Sequence, residues 1–180
     1  MKFKKLKHYN NTVTCHELTF SCYHNRNYLT DNRLCDLFEE VLSEVLSEEN
    51  ILLLAYVLMP NHVHLLVLPQ KELYSISRFL KLLKGRVSNR YSKILRETDV
   101  EVYRSYLAEF RGSNSFILWQ RGGGYDRNIY SKEAIISSMQ YIEANPVRKS
   151  MVTMPVEYRW SSAYSRKNGE GIRSDSLMFL

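Results

Sequence analysis

Two histidines one residue apart, His62 and His64, lie inside the apolar run Tyr56-Val57-Leu58-Met59-Pro60-Asn61-His62-Val63-His64-Leu65-Leu66-Val67-Leu68. A β-strand throws alternate side chains to opposite faces, so both imidazoles point one way and Val63 the other. Paired imidazoles on a rigid strand suit a divalent metal. The chain has five histidines and no cysteine cluster, so a closed structural zinc site is poorly supplied. An open site completed by an oxygen ligand fits better, and its metal would polarise a phosphoryl oxygen. A tyrosine beside it can attack phosphorus and displace a 3′-oxygen. Unaided, a phenol with a pKa of about 10 is a weak nucleophile. His-x-His also occurs in zinc hydrolases and cupins, and as a metal-free pair on an exposed strand.

A second set of residues comes from the helix that Ser131 caps, opening with Lys132-Glu133-Ala134. Ile135, Met139 and Ile142 share one face. Ser137, Tyr141 and Asn145 share another, each four-residue step turning by about 40°. Pro146 cannot donate into the ladder, so the helix ends near Ala144 or Asn145. Tyr141 and Asn145 therefore project together from a helix that packs by its other side.

Length and composition frame these candidates. A chain of 180 residues with 44% apolar content fits one domain with a substantial core. No apolar run nears the roughly 20 residues of a membrane span, so no membrane association is expected. The basic start Met1-Lys2-Phe3-Lys4-Lys5-Leu6-Lys7 is followed by no apolar stretch, so no signal peptide is expected. Cys15, Cys22 and Cys35 form no Cys-x-x-Cys pair, as expected of reduced thiols in a cytoplasmic protein.

The net charge of +6 is unevenly spread. Asp31 to Glu49 carries seven acids against Arg33 alone, whereas Ser77 to Lys93 carries Arg78, Lys81, Lys84, Arg86, Arg90 and Lys93 with no acid. The acid-free helix is expected to face phosphates. The basic arm Met1–Asn11 is either a solvated terminus or a phosphate contact.

Thr12 to Tyr23 reads as a first strand; His16 and His24 there are better explained as hydrogen-bonded residues than as ligands. Asp31 caps a helix with Leu34, Leu37, Phe38, Val41, Leu42, Val45 and Leu46 on its buried stripe. Ile51–Leu58 and His62–Leu68 form an antiparallel hairpin across Pro60-Asn61. The basic helix spans Ser75–Leu95, a short helix is expected around Val102–Phe110, and a strand at Phe116–Gln120. Arg121-Gly122-Gly123-Gly124-Tyr125-Asp126-Arg127 reads as a flexible loop, without the spacing of a phosphate loop. Val147–Leu180 reads as a tail with little periodicity, and Gly169 and Gly171 suggest that its last stretch is loosely ordered.

The run Tyr56 to Leu66 resembles the HUH motif (His, bulky hydrophobic, His) of single-tyrosine transposases. Leu118-Trp119-Gln120-Arg121, Tyr125-Asp126-Arg127, Tyr141-Ile142-Glu143-Ala144-Asn145-Pro146-Val147-Arg148 and Glu157-Tyr158-Arg159-Trp160-Ser161-Ser162 are similar to later blocks of that superfamily, most like its REP-associated branch. The resemblance implies an α+β, ferredoxin-like antiparallel sheet carrying the HUH motif, with helices packed on one side. It implies a domain over 12–146 and a C-terminal tail over 147–180 that packs on it or contacts DNA. It implies a Mg²⁺- or Mn²⁺-dependent endonuclease and strand transferase for single-stranded or hairpin DNA, leaving a 5′-phosphotyrosine. Tyr141 matches the nucleophile, and His62, His64 and Asn145 match metal-ligand positions. Arg121, Tyr125, Arg127 and Arg148 join the basic helix as expected DNA contacts. Many relatives follow Asn-Pro-Val-Arg with Ala-Gly-Leu-Val, where this chain has Lys149-Ser150-Met151-Val152, and relatives act as monomers or homodimers. A domesticated hairpin-binding protein with little catalysis and a phosphodiesterase acting through water remain as alternatives.

Overall fold

Strand β1, Cys15–Ser21, alternates its side chains between two layers, and this division organises the molecule. Leu18 and Phe20 enter one apolar cluster and Cys15 another. The computed structural model describes residues 14–110, 113–172 and 174; the basic arm read from the sequence lies outside them. Strands β2 (Ile51–Met59) and β3 (His62–Pro69) form the expected hairpin across Pro60-Asn61. β3 also pairs with β1, and every neighbour in the sheet is antiparallel.

Helices α1 (Asn32–Glu49) and α2 (Ile76–Thr98) lie together on one side of the sheet. Asp31 accepts from the Arg33 amide and Ser75 from the Arg78 amide, so each helix has the side-chain cap its first turn needs. Phe38, Val41 and Leu42 from α1, and Phe79, Leu83 and Val87 from α2, close over Leu18, Phe20, Val63 and Leu65. Burying each such side chain fully is worth roughly 1.5–3 kcal/mol. Most of the apolar burial lies in this layer, which leaves the opposite face free to carry polar groups.

Three segments differ from their sequence reading. Tyr125–Ile129 is a strand, here β6, with Arg127 opposite Glu17 and Tyr125 opposite Thr19 on β1. Its glycines and charges suggested a loop, but an edge strand needs only one apolar face and tolerates charge on the other. Between α2 and β6 come a short helix α3 (Val100–Ser105) and a separate hairpin, β4 (Leu107–Phe110) with β5 (Ser113–Phe116). The strand expected at Phe116–Gln120 is reduced to one bridge, between Cys22 and Trp119.

Helix α4 (Lys132–Glu143) crosses the other face of the sheet, capped by Ser131 as its sequence indicates. It gives way to one turn, α5 (Asn145–Arg148), with Pro146 at its start. The chain then returns to the free edge of β2, where Val57 bridges Ser161 and the Leu58 amide donates to the Trp160 carbonyl. Arg159 pairs with Glu39 on α1, and α6 (Ser162–Asn168) follows. The segment after Pro146 is thus fastened to both β2 and α1. Its anchors are backbone bonds and ion pairs, which leave no apolar period in the sequence. No helix among the described residues is long and apolar enough to cross a membrane.

Ser150 closes α5 with φ 55°, in the left-handed region. Its amide donates to the Val147 carbonyl, and that of Met151 to Pro146. The left-handed region is the one that favours glycine, the residue expected here in many relatives. Ser150→Gly should stabilise the protein by up to about 1 kcal/mol, raising the Tm by roughly 2–4 °C in a thermal melt.

Candidate active site

His62 and His64 project from β3 onto the face that α4 crosses, with ring centroids 4.8 Å apart. The register sets His64 opposite Thr19 on β1 and Val57 on β2. Thr19 Oγ1 lies 2.8 Å from His64 Nδ1, and Asn61 Oδ1 lies 2.6 Å from His62 Nδ1. The amide oxygen can only accept, so His62 donates from Nδ1 and keeps the Nε2 lone pair. With Nδ1 of His64 held by Thr19, Nε2 is again the nitrogen left over. A hydrogen-bonded outer nitrogen that fixes the ring is the usual support for a metal-binding imidazole. Thr19 and Asn61 were not singled out in the sequence; only register reveals the first.

Burial lowers the pKa of both rings, that of His64 to about 4, with the neighbouring His62 adding to the effect. Burial is likewise the main cause at His62, and Lys149 contributes. Both rings are therefore neutral at pH 7, the form that ligates metal. The sign for stability follows. The unfolded chain protonates these residues near pH 6.5 and the folded chain only at lower pH, so stability is full above about 6.5 and falls toward pH 4. Thermal melts of the metal-free protein should show this fall, and His64→Asn should flatten it.

Tyr141 comes to the same place. Ile135 and Ile142 bury one side of α4 against Leu54, Val57 and Leu66. This turns the neighbouring Tyr141 ring toward His64, centroid to centroid 6.4 Å. Tyr141 is 45% exposed, and its hydroxyl makes no hydrogen bond to a described residue. The Arg148 guanidinium lies over the ring, 4.5 Å from its centroid, in cation–π geometry. Asn145 is buried, and its Nδ2 donates to the carbonyls of Tyr141 and Ile142. That use of the amide nitrogen leaves Oδ1 as the atom able to ligate. Among the described residues, no cluster of three His, Cys, Asp or Glu side chains is placed to hold a metal. The described side chains thus bring two imidazole nitrogens together, with no carboxylate or thiolate beside them to form a three-ligand cluster.

A cleft of about 760 Å³ opens between α4 and the sheet, and Tyr141, His64, Tyr125, Arg127 and Glu17 line it. Of the expected DNA contacts, Tyr125, Arg127 and Arg148 thus lie at the site, and Arg121 is exposed on the neighbouring loop.

The basic helix requires a correction. Its arginines do not form an acid-free surface: Arg78 pairs with Glu49, Arg86 with Glu48, and Arg90 with Glu40 and Glu44. Lys84 donates to the carbonyls of Gln120 and Gly122, and burial lowers its pKa. The acidic and basic stretches, far apart in sequence, neutralise each other where α1 and α2 pack. Lys81 remains exposed beside Gly122 and Gly123.

A family model described as "Transposase IS200 like" matches residues 12–145. The chain belongs to the IS200-like transposase family. This family member is similar to a solved REP-associated tyrosine transposase bound to a REP hairpin, with a TM-score of 0.71 at 14% identity. The match covers 97% of this chain and 96% of that one. At this identity it establishes the shared fold, an α+β antiparallel sheet with the long helices on one side. A putative transposase from Deinococcus radiodurans R1 is 22% identical over 79% of this chain and 96% of its own, with a TM-score of 0.47. A search of curated proteins gave no match.

Proposed function

We propose that this transposase-family protein cleaves and rejoins single-stranded DNA at hairpin-associated sites through a covalent 5′-phosphotyrosine on Tyr141. The observation that carries the reading is the approach of an exposed phenol, hydrogen-bonded to no described residue, to a pair of neutral imidazoles beside one cleft. Hydrolysis through water would not need the phenol there.

His62 and His64 would hold Mg²⁺ or Mn²⁺ through Nε2, with Asn145 Oδ1 as the third protein ligand. The bound ion would withdraw charge from the scissile phosphate as a Lewis acid. Tyr141 Oη attacks phosphorus, the P–O3′ bond breaks, and the phenolic proton passes to water while the 3′-oxygen leaves as a hydroxyl. Attack by a 3′-hydroxyl on the phosphotyrosine reverses the step and joins strands. Arg148 holds the ring on the histidine side, and its remaining donors suit a phosphate oxygen. Arg127, Tyr125 and Arg121 would contact the unpaired strand. The α2 arginines would first have to leave their carboxylates, so they are weaker candidates. The tyrosine helix packs on its own sheet, so one chain brings Tyr141 and the two histidines together, and a monomer is sufficient for this reading.

The test is to incubate the full chain with 5′- and 3′-labelled hairpin oligonucleotides carrying single-stranded flanks, with Mn²⁺ or EDTA. A metal-dependent, SDS-resistant adduct mapped to Tyr141 by mass spectrometry supports the proposal. Cleavage without an adduct overturns it in favour of hydrolysis. Tight binding without cleavage overturns it in favour of a domesticated hairpin-binding protein.

A further inference from the structure

We infer that the cleft beside Tyr141 holds one unpaired nucleobase next to the scissile phosphate and selects it through Glu17 and Arg127. The inference rests on the single-strand cleavage proposed above and adds a specificity determinant to it. Glu17 is 7% exposed, a depth at which a carboxylate is rare unless paired. Both of its protein bonds go to one oxygen: Oε2 accepts from Arg127 Nη2 at 2.6 Å and from the Ser138 hydroxyl at 2.9 Å. Oε1 bonds to no described residue. Among the described residues, Arg127 in turn uses only Nη2, on Glu17 and Ser138, and its side chain is half exposed. Its Nε–H and Nη1 donors remain for a ligand.

The cleft thus presents a fixed acceptor next to fixed donors, on adjacent strands where Glu17 and Arg127 stand directly opposite in register. The Watson–Crick edge of a base is the complementary object, a donor beside an acceptor. Two residues along β6 on the same face, Tyr125 is 48% exposed and lines the same cleft. It offers a face on which a base can stack, worth about 1–3 kcal/mol. A bare phosphate would be repelled by the Glu17 carboxylate, so the residue set does not suit the backbone. Because His64 and Tyr141 share the cleft, the base it takes must flank the cut.

Selection should be sharp, because a wrong edge leaves a buried acceptor or donor unpaired. Exchanging the carboxylate for an amide adds a donor at constant shape, so Glu17→Gln should change which base is preferred while the fold is kept.

The experiment has two parts. In the first, oligonucleotides carrying each of the four bases at the positions flanking the cleavage site are compared for adduct formation. Wild type should prefer one base by about 10-fold or more, and Glu17→Gln should lose or reorder that preference. In the second, 2-aminopurine replaces the flanking base and binding is followed by fluorescence in the non-cleaving Tyr141→Phe background. Quenching that is lost in Tyr125→Ala supports the pocket. Equal cleavage of all four flanking bases, or an unchanged preference in folded Glu17→Gln, overturns it. If wild type forms no adduct with any oligonucleotide but quenching still depends on Tyr125, the cleavage reading fails and the base pocket stands.

Discussion

Tyr141→Phe is expected to remove all covalent adduct and to lower strand cleavage by at least about 10³-fold, while fold and DNA affinity stay near wild type. The expectation depends on what the hydroxyl does not do. It makes no hydrogen bond to a described residue, and the ring is 45% exposed, so its loss leaves no buried group unsatisfied. The ring keeps its place against His64 and under Arg148, because neither contact uses the oxygen. Stability should therefore change by no more than about 0.5 kcal/mol. That separation gives the variant its value. Of the 13 tyrosines in the chain, most are packed or bonded, and removing such a hydroxyl would confound chemistry with folding. Tyr91, for example, is buried and donates to Asp31. Cleavage by Tyr141→Phe at the wild-type rate would show that water is the nucleophile. Loss of cleavage together with loss of DNA binding would place Tyr141 in substrate recognition. Chemical denaturation, a binding titration and the adduct assay on one preparation distinguish these outcomes.

The candidate site was legible in the sequence to the extent that local periodicity encodes it. Period two put His62 and His64 on one face, and period 3.6 put Tyr141 beside Asn145. The meeting of those two faces is a tertiary fact, set by the burial of Ile135 and Ile142 against Leu54 and Leu66. Groups that act across strands were not legible. Thr19 reaches His64, and Glu17 reaches Arg127, only through registers of 45 and 110 residues' separation. The pairing of the basic helix was hidden for a related reason. Net charge along one helix says nothing about what packs beside it, and α1 supplies a glutamate for each of Arg78, Arg86 and Arg90. How the segment after Pro146 packs was not legible, because its anchors, the Leu58–Trp160 backbone bond and the Arg159–Glu39 pair, leave no periodic signal.

Gly124 is where the loop, the sheet and the histidines become one mechanical unit, so Gly124→Ala is expected to have the second largest effect. Gly124 has φ +77°, and a Cβ there would lie 2.1 Å from the Thr19 carbonyl oxygen and 3.1 Å from Phe20 Cβ. The nearest obstacle is backbone, which cannot swing aside as a side-chain tip can. The loop cannot easily retreat either, since Lys84 holds the Gln120 and Gly122 carbonyls and Trp119 donates to the Lys84 carbonyl. β1 must then shift, and with it the Thr19 hydroxyl that orients His64. A clash combined with an unfavourable backbone conformation should cost about 3 kcal/mol or more. A displacement of about 1 Å at a positioned catalytic group commonly costs on the order of 100-fold in rate. Gly123→Ala is the control, because a Cβ there meets nothing within 4 Å and should alter stability by no more than about 0.5 kcal/mol. Denaturant midpoints for the two variants, with the adduct assay run well below each midpoint, separate the global loss from the local one. Equal stability of the two would mean that the loop absorbs the methyl without moving β1. A Gly124→Ala protein that is destabilised but fully active when folded would mean that Thr19 can move without carrying His64 with it.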